Sequence, residues 1–209
     1  DNLEAETEAN WLERYEPELW ARTAHYLLLS GYLNYRFTGA FKDSVGSQVG
    51  YLPFDFKKQS WCADSDWKWH SMAIKRYMLP ELSDVGEVLG YVAADAAEAT
   101  GVPVGVPVIA GAADKACEVL GVGALEAGVA SISCGTTATI NTTRSKYVEV
   151  VPLMPAYPAA LPKYFNTEIQ VFRGFWMVSW FLEQFGALEC QEAAARQVAP
   201  EVLLEELLN

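Results

Sequence analysis

The chain has 209 residues, 51% of them hydrophobic, and with 15 Lys and Arg against 27 Asp and Glu it carries a formal charge of −12. That apolar fraction suffices for a packed core and excludes a disordered polymer, while the length fits one large domain or two small ones. The acidity leaves no excess of cations for nucleic-acid phosphates, though a nucleotide can still be held by backbone N–H groups and a divalent metal. No apolar run approaches a membrane span, and Asp1-Asn2-Leu3-Glu4 is neither a basic n-region nor an apolar h-region. A cytoplasmic chain is expected. Cys62, Cys117, Cys134 and Cys190 are too scattered for a disulfide framework or a zinc site, which predicts small buried thiols in a reducing compartment.

In chain order, Leu3 to Thr38 is predicted largely helical. Pro17 suits a first helical turn, Trp20, Ala24, Leu27 and Leu28 are expected to share one apolar face, and Gly31 and Gly39 are read as punctuation. Asp43 to Asp66 reads as extended structure and turns, and Trp67 to Met78 as helix again. Val88 to Val92 is a short predicted strand, and Asp95 to Thr100 a helix stopped by Gly101. Pro107-Val108-Ile109-Ala110 is a continuous apolar run, the pattern of a strand buried on both faces. Gly111-Ala112-Ala113, Asp114 and a helix from Lys115 to Leu120 follow.

Val129 to Cys134 and Ala138 to Asn141 are β-prone runs joined through Gly135-Thr136-Thr137, a predicted hairpin. Pro152, Pro155, Pro158 and Pro162 mark an irregular surface loop. Tyr164 to Phe172 is a predicted strand, Trp176 to Phe185 a helix closed by Gly186, and Glu189 to Leu208 helix with a break near Pro200. Interleaved strands and helices predict an α/β fold.

Two features carry chemistry. Asp114 follows an apolar strand, where open α/β sheets place their ligands. It suits either a helix N-cap or a base that accepts the proton of an attacking hydroxyl. Ser133-Cys134-Gly135-Thr136-Thr137 combines a glycine that admits close backbone approach with threonine hydroxyls that can donate to phosphate oxygens. An ordinary hairpin turn reads the same way. The order of strand, acid, helix and glycine–threonine hairpin raises the functional reading of both.

Gly111-Ala112-Ala113-Asp114, Gly121-Val122-Gly123, Gly128 and Ser133-Cys134-Gly135-Thr136-Thr137 together resemble the core of the FGGY sugar kinases, relatives of xylulose, gluconate and glycerol kinases. Tyr32 to Gly39, Asp43-Ser44, Trp61, Gly86 to Gly90, Thr100 to Val108 and Trp180-Phe181-Leu182 extend the resemblance in the same order. It implies an α/β, actin-like ATPase (ribonuclease H-like) fold, present in part. Residues 1–125 would be the later part of the first, sugar-binding domain, and residues 126–209 the beginning of the second, ATP-binding domain. The boundary is expected between Gly123 and Gly128.

The resemblance further implies that the γ-phosphoryl of Mg-ATP passes to a sugar or polyol hydroxyl, making ATP and Mg2+ the expected cofactors. Asp114 would be the catalytic base, Gly135, Thr136 and Thr137 the phosphate-binding hairpin, and Lys115, the residue after the base, a candidate substrate contact. The family's opening Asp-x-Gly-Thr turn and its later glycine-rich adenosine motif are absent from these 209 residues. An internal fragment, inactive on its own, is therefore expected; the apolar Leu203-Leu204 and Leu207-Leu208 at the end agree with that. Phe175-Trp176 stands where relatives carry small residues, which keeps open a catalytically altered kinase-like protein. An acidic protein-interaction module, or a homodimer, remains a rival. His25 and His70 are read as structural, Arg173 as a surface ion pair, and Trp61, Trp67 and Trp69 as packing residues.

Overall fold

Pro17 at the first position of a helix and Gly39 just past the end of another bracket the amino-terminal helices, the asymmetry expected of residues that lack an N–H or a Cβ. The computed structural model describes residues 2–126, 128–152 and 154–208. Its elements begin with α1 (Asn2–Glu6), α2 (Glu8–Tyr15), α3 (Pro17–Arg22) and α4 (Leu29–Thr38). Then come β1 (Lys42–Ser44), β2 (Phe54–Asp55), β3 (Ser60–Trp61), α5 (Lys68–Ser71), a 3-10 turn at Arg76–Met78 and β4 (Glu81–Ser83). Next are β5 (Val88–Tyr91), α6 (Ala94–Thr100), β6 (Pro107–Ile109), α7 (Asp114–Gly121), β7 (Ser131–Cys134) and β8 (Ala138–Arg144). The last are β9 (Tyr157–Pro158), β10 (Phe165–Val171), α8 (Trp176–Phe185), α9 (Ala187–Arg196) and α10 (Pro200–Leu208). Among the described residues, no helix is long and apolar enough to cross a membrane.

The chain divides into two units, Asp1–Val129 with Thr142–Thr167, and Ala130–Asn141 with Glu168–Asn209. In the first, β1 pairs parallel with β4, β2 antiparallel with β3, β5 antiparallel with β6, and β9 antiparallel with the start of β10. Its core gathers Ala9, Val45, Leu52, Phe54, Met72, Ala73, Ile74 and Leu79, with Trp20, Tyr26, Trp61 and Trp69 packed against them. Phe54 and Ile74 are fully buried, each stabilising the fold by roughly 1.5–3 kcal/mol relative to exposure. In the second unit β7 and β8 form the hairpin and α8, α9 and α10 follow; Leu182, Ala193 and Leu203 are its buried apolar side chains among the described residues.

Several expectations are corrected. Residues 23–28 are not helical, because Thr23 leaves α3 in an extended conformation and the Tyr26 N–H donates to Met78 O. Trp20 therefore shares no helical face with Ala24, Leu27 and Leu28. Gly31 lies inside α4, where a Cβ would sit 3.1 Å from Asp43 Oδ2. The stretch from Trp67 to Met78 is two short pieces rather than one helix. The Asn10 side chain bonds Ser71 O (2.8 Å) and the Ala73 N–H (2.7 Å) and holds the break open.

The strand β6 exists, but Pro107 and Ile109 are exposed, since among the described residues its sheet has only β5 beside it. Within the proline-rich loop, Ala156, Pro158 and Ala159 are buried and Tyr157–Pro158 pairs with β10, so the loop is not wholly at the surface. Of the four thiols only Cys62 is buried; Cys117 and Cys134 are exposed and Cys190 is half-buried.

Candidate active site

Asp114 opens α7. The preceding Ala113 has the extended torsions of an N-cap (φ −60°, ψ 154°), so the aspartate is the first helical residue and not the cap. Its Oδ1 accepts the Lys115 N–H at 2.7 Å, one of the donors a helix start leaves unpaired, and its charge is favoured by the helix dipole. The side chain is exposed. Among the described residues, no Lys, Arg or His forms an ion pair with it. Lys115 Nζ lies 2.6 Å from Glu118 Oε2, along the same helix.

The connection into α7 is Gly111-Ala112-Ala113, which has almost no side chain with which to pack. It is held instead by backbone and by residues 43–48. Ser44 Oγ donates to Gly111 O and accepts the Gly46 N–H (3.1 Å). The Ala113 N–H donates to Gly46 O (2.8 Å), and Gly46 bridges Ala112 in parallel fashion. A Cβ on Gly46 would lie 2.7 Å from Gly111 O and 2.8 Å from Val85 Cγ2, so no side chain is tolerated there without moving the connection.

Beneath Ser44 sits Asp43, 1% exposed. Its carboxylate accepts from Ser30 Oγ (2.9 Å), Asn34 Nδ2 (3.0 Å), the Ser44 N–H (2.8 Å) and Gln48 Nε2 (2.9 Å). Burial pushes its pKa above the ordinary aspartate value, while these four donors pull it back part of the way. Gln48 Nε2 also donates to Ser44 O (2.9 Å). Sequence reasoning touched Asp43 and Ser44 only through the family resemblance, and it gave no role to Gly46 or Gln48. The one signal was a polar cluster, Asp43-Ser44 with Gln48, amid residues otherwise small or apolar.

The hairpin of the second unit closes on the pair Cys134–Ala138, leaving Gly135, Thr136 and Thr137 as its turn. The Gly135 N–H donates to Thr137 O (3.2 Å). The carbonyls of Gly135 and Thr136 accept the N–H groups of Phe175 (2.9 Å) and Gly174 (2.8 Å). The Thr137 hydroxyl donates to Phe172 O (3.4 Å). The segment leading into α8 thus clasps the turn, and Gly174 is required there, since a Cβ would come within 2.5 Å of Ala138 N.

Those bonds engage two carbonyl oxygens that would otherwise repel an anion. A Cβ on Gly135 would meet nothing nearer than Thr137 O at 3.6 Å, and Gly135 and Thr136 are exposed. An open glycine beside the exposed Thr136 fits a phosphate chain. Among the described residues, no group of three or more His, Cys, Asp or Glu could hold a metal ion.

Of the remaining singled-out residues, Trp61 and Trp69 pack against the core, whereas His25, Trp67 and His70 are exposed. The His25 ring lies 4.1 Å from that of Phe41, and His70 is exposed on α5. Trp61 Nε1 donates to Pro80 O and Trp69 Nε1 to Ala63 O, while Trp67 is 59% exposed. The Arg173 guanidinium stands 5.1 Å over the Trp176 ring. That contact is cation–π rather than the expected ion pair.

The model of the FGGY family of carbohydrate kinases, N-terminal domain, matches residues 4–121, which include Asp114 and the whole of the 43–48 turn. The chain belongs to the FGGY family. It is 35% identical over 185 residues to an Escherichia coli K12 protein described as the uncharacterized sugar kinase YgcE, covering 87% of this chain and 37% of that one. A Lactococcus lactis xylulose kinase is 29% identical over 177 residues, 84% of this chain and 34% of the enzyme. The chain therefore spans little more than a third of the length of these relatives. The crystal structure of a Rhodospirillum rubrum xylulose kinase matches with a TM-score of 0.78 at 24% identity, over 93% of this chain and 38% of that one. That likeness establishes the fold, the actin-like ATPase architecture of FGGY sugar kinases.

Proposed function

We propose that the complete protein carrying these residues transfers the γ-phosphoryl group of ATP to a hydroxyl of a sugar or polyol, with Asp114 as general base. The observation that carries this reading is the state of Asp114: an exposed carboxylate at the head of α7, ion-paired with no cation among the described residues, within the matched family region. A carboxylate so placed can accept the hydroxyl proton as the new O–P bond forms. Phosphoryl transfer asks little more of the protein than positioning and charge stabilisation.

Gly135, Thr136 and Thr137 form the turn that holds the phosphate chain, through the open glycine and the Thr136 hydroxyl, while the Thr137 hydroxyl donates to Phe172 O and, with the 174–175 amides, keeps the turn in shape. Lys115 stands next to the base in sequence and is the candidate substrate contact; its ammonium pairs with Glu118 three residues along α7. A kinase-like protein with altered nucleotide use is the second reading. It is favoured by Phe175 and Trp176, whose exposed rings stand at the start of α8 beside the clasp.

The test is Asp114→Asn in the complete protein, with ADP release followed over a panel of sugars and polyols. The expected result is a fall in kcat of about 100- to 10,000-fold, the usual span for a lost general base, with the unfolding transition unchanged. Normal turnover by that variant would overturn the base assignment. Absence of sugar-dependent ADP release in the unmodified protein, with calorimetry showing no ATP binding, would favour the second reading.

A further inference from the structure

We infer that Ser44 is a positioning residue for Asp114, acting through the backbone of Gly111-Ala112-Ala113; the inference rests on the proposed role of Asp114 as base. Two hydrogen bonds, both within the first unit, tie that connection to residues 44–46. They are the Ser44 hydroxyl on Gly111 O and the Ala113 N–H on Gly46 O, the second being part of the parallel bridge between Gly46 and Ala112. Gly111 has no side chain to pack, and an added Cβ there would meet no atom within 4 Å. A Gly-Ala-Ala connection brings little packing of its own. Without the ties, its torsions would set the first turn of α7, and the carboxylate with it, only loosely.

The hydroxyl of Ser44 is itself held. Ser44 is 1% exposed, its Oγ accepts the Gly46 N–H, and its backbone N–H and C=O are bound by Asp43 and by Gln48. Asp43 in turn is anchored to α4 through Ser30 and Asn34. A continuous chain of hydrogen bonds therefore runs from a helix on one side to the residue that precedes α7 on the other. Rigid support of this kind matters because a misplacement of about 1 Å at a reacting group can cost on the order of 100-fold in rate.

The experiment compares Ser44→Ala, Asp114→Asn and Ile74→Val in the complete protein, reading kcat, both KM values and thermal unfolding. Ile74 is an apolar residue of the first unit's core and forms none of the hydrogen bonds of the clamp, so its shortening lowers stability while leaving those bonds in place. Ser44→Ala is expected to lower kcat about tenfold or more, with KM values within about threefold of the original, because the lost interaction acts on the reacting group rather than on ground-state binding. Ile74→Val is expected to keep kcat.

Hydrogen exchange of the unmodified protein supplies a reading that does not depend on any variant folding. The Ala113 amide, bonded to Gly46 O, should be protected like the amides of β1. Retained kcat in Ser44→Ala, an equal loss in Ile74→Val, or open-loop exchange at Ala113 would each overturn the positioning role. Normal turnover by Asp114→Asn would instead remove the base on which it rests, so the two failures are told apart.

Discussion

Asp43 and the proposed base Asp114 lie at the two ends of one supporting arrangement, in opposite surroundings. Asp43 is sealed from solvent and surrounded by donors, which suits a structural anchor, whereas Asp114 is exposed and ion-paired with no cation among the described residues, which suits proton transfer. Asp114 was legible in the sequence because strand, acid and helix follow one another locally. The Ser44 contact was not, because its two partners are 67 residues apart and no periodicity links them. A different residue answers to pH. Burial, with the charge and hydrogen bond of Glu8, raises Tyr26 to about 12. A phenol raised above its unfolded value of about 10 contributes stability fully below that pH and loses it as the pH climbs through the folded value. Alkaline unfolding is therefore expected to steepen between roughly pH 10 and 12, and Tyr26→Phe should flatten that slope. An unchanged slope in the variant would assign the alkaline loss elsewhere.

Elements with strong local signals fell where sequence placed them. Helix α8 begins at Trp176 and is closed by Gly186, and the hairpin turns at Gly135-Thr136-Thr137. Elements decided by distant partners did not. Asn10 splits the predicted helix after Trp67, and the apolar run at Pro107 is left half uncovered because, among the described residues, it has one neighbouring strand. Apolar composition marks a strand but does not say how many layers cover it. The clasp between the 172–175 segment and the hairpin turn gives the sharpest prediction at this scale. Gly174→Ala would thrust a methyl group against Ala138 N, and overpacking of this kind costs about 1–3 kcal/mol. Thermal unfolding should fall accordingly, and calorimetry should show weakened ATP binding; intact affinity would mean that the clasp does not shape the phosphate turn.

At the scale of the molecule, family and architecture were legible because an ordered set of small motifs runs through most of the chain. The path of the chain between units was not, since residues 142–167 return to the first unit after the hairpin has been laid down. The two units also differ in what they bury. The first has the Phe54 and Ile74 core, while in the second α8, α9 and α10 leave Trp180, Phe181, Phe185, Leu188 and Leu207 exposed. Amides of α9 and α10 are therefore expected to exchange faster than those of β1 and β4. Mass spectrometry of deuterium uptake reads this directly, and the reverse order would contradict it.

The returning segment has a consequence for biosynthesis. Gln59 reaches its partner, the carbonyl of Tyr164, across 105 residues, and Phe56 meets the ring of Tyr157. At about 5–20 residues per second on the ribosome, these early side chains must wait roughly 5–20 s for the polypeptide that covers them. Throughout that interval the nascent first unit presents an unfinished apolar surface, a natural place for a chaperone to intervene.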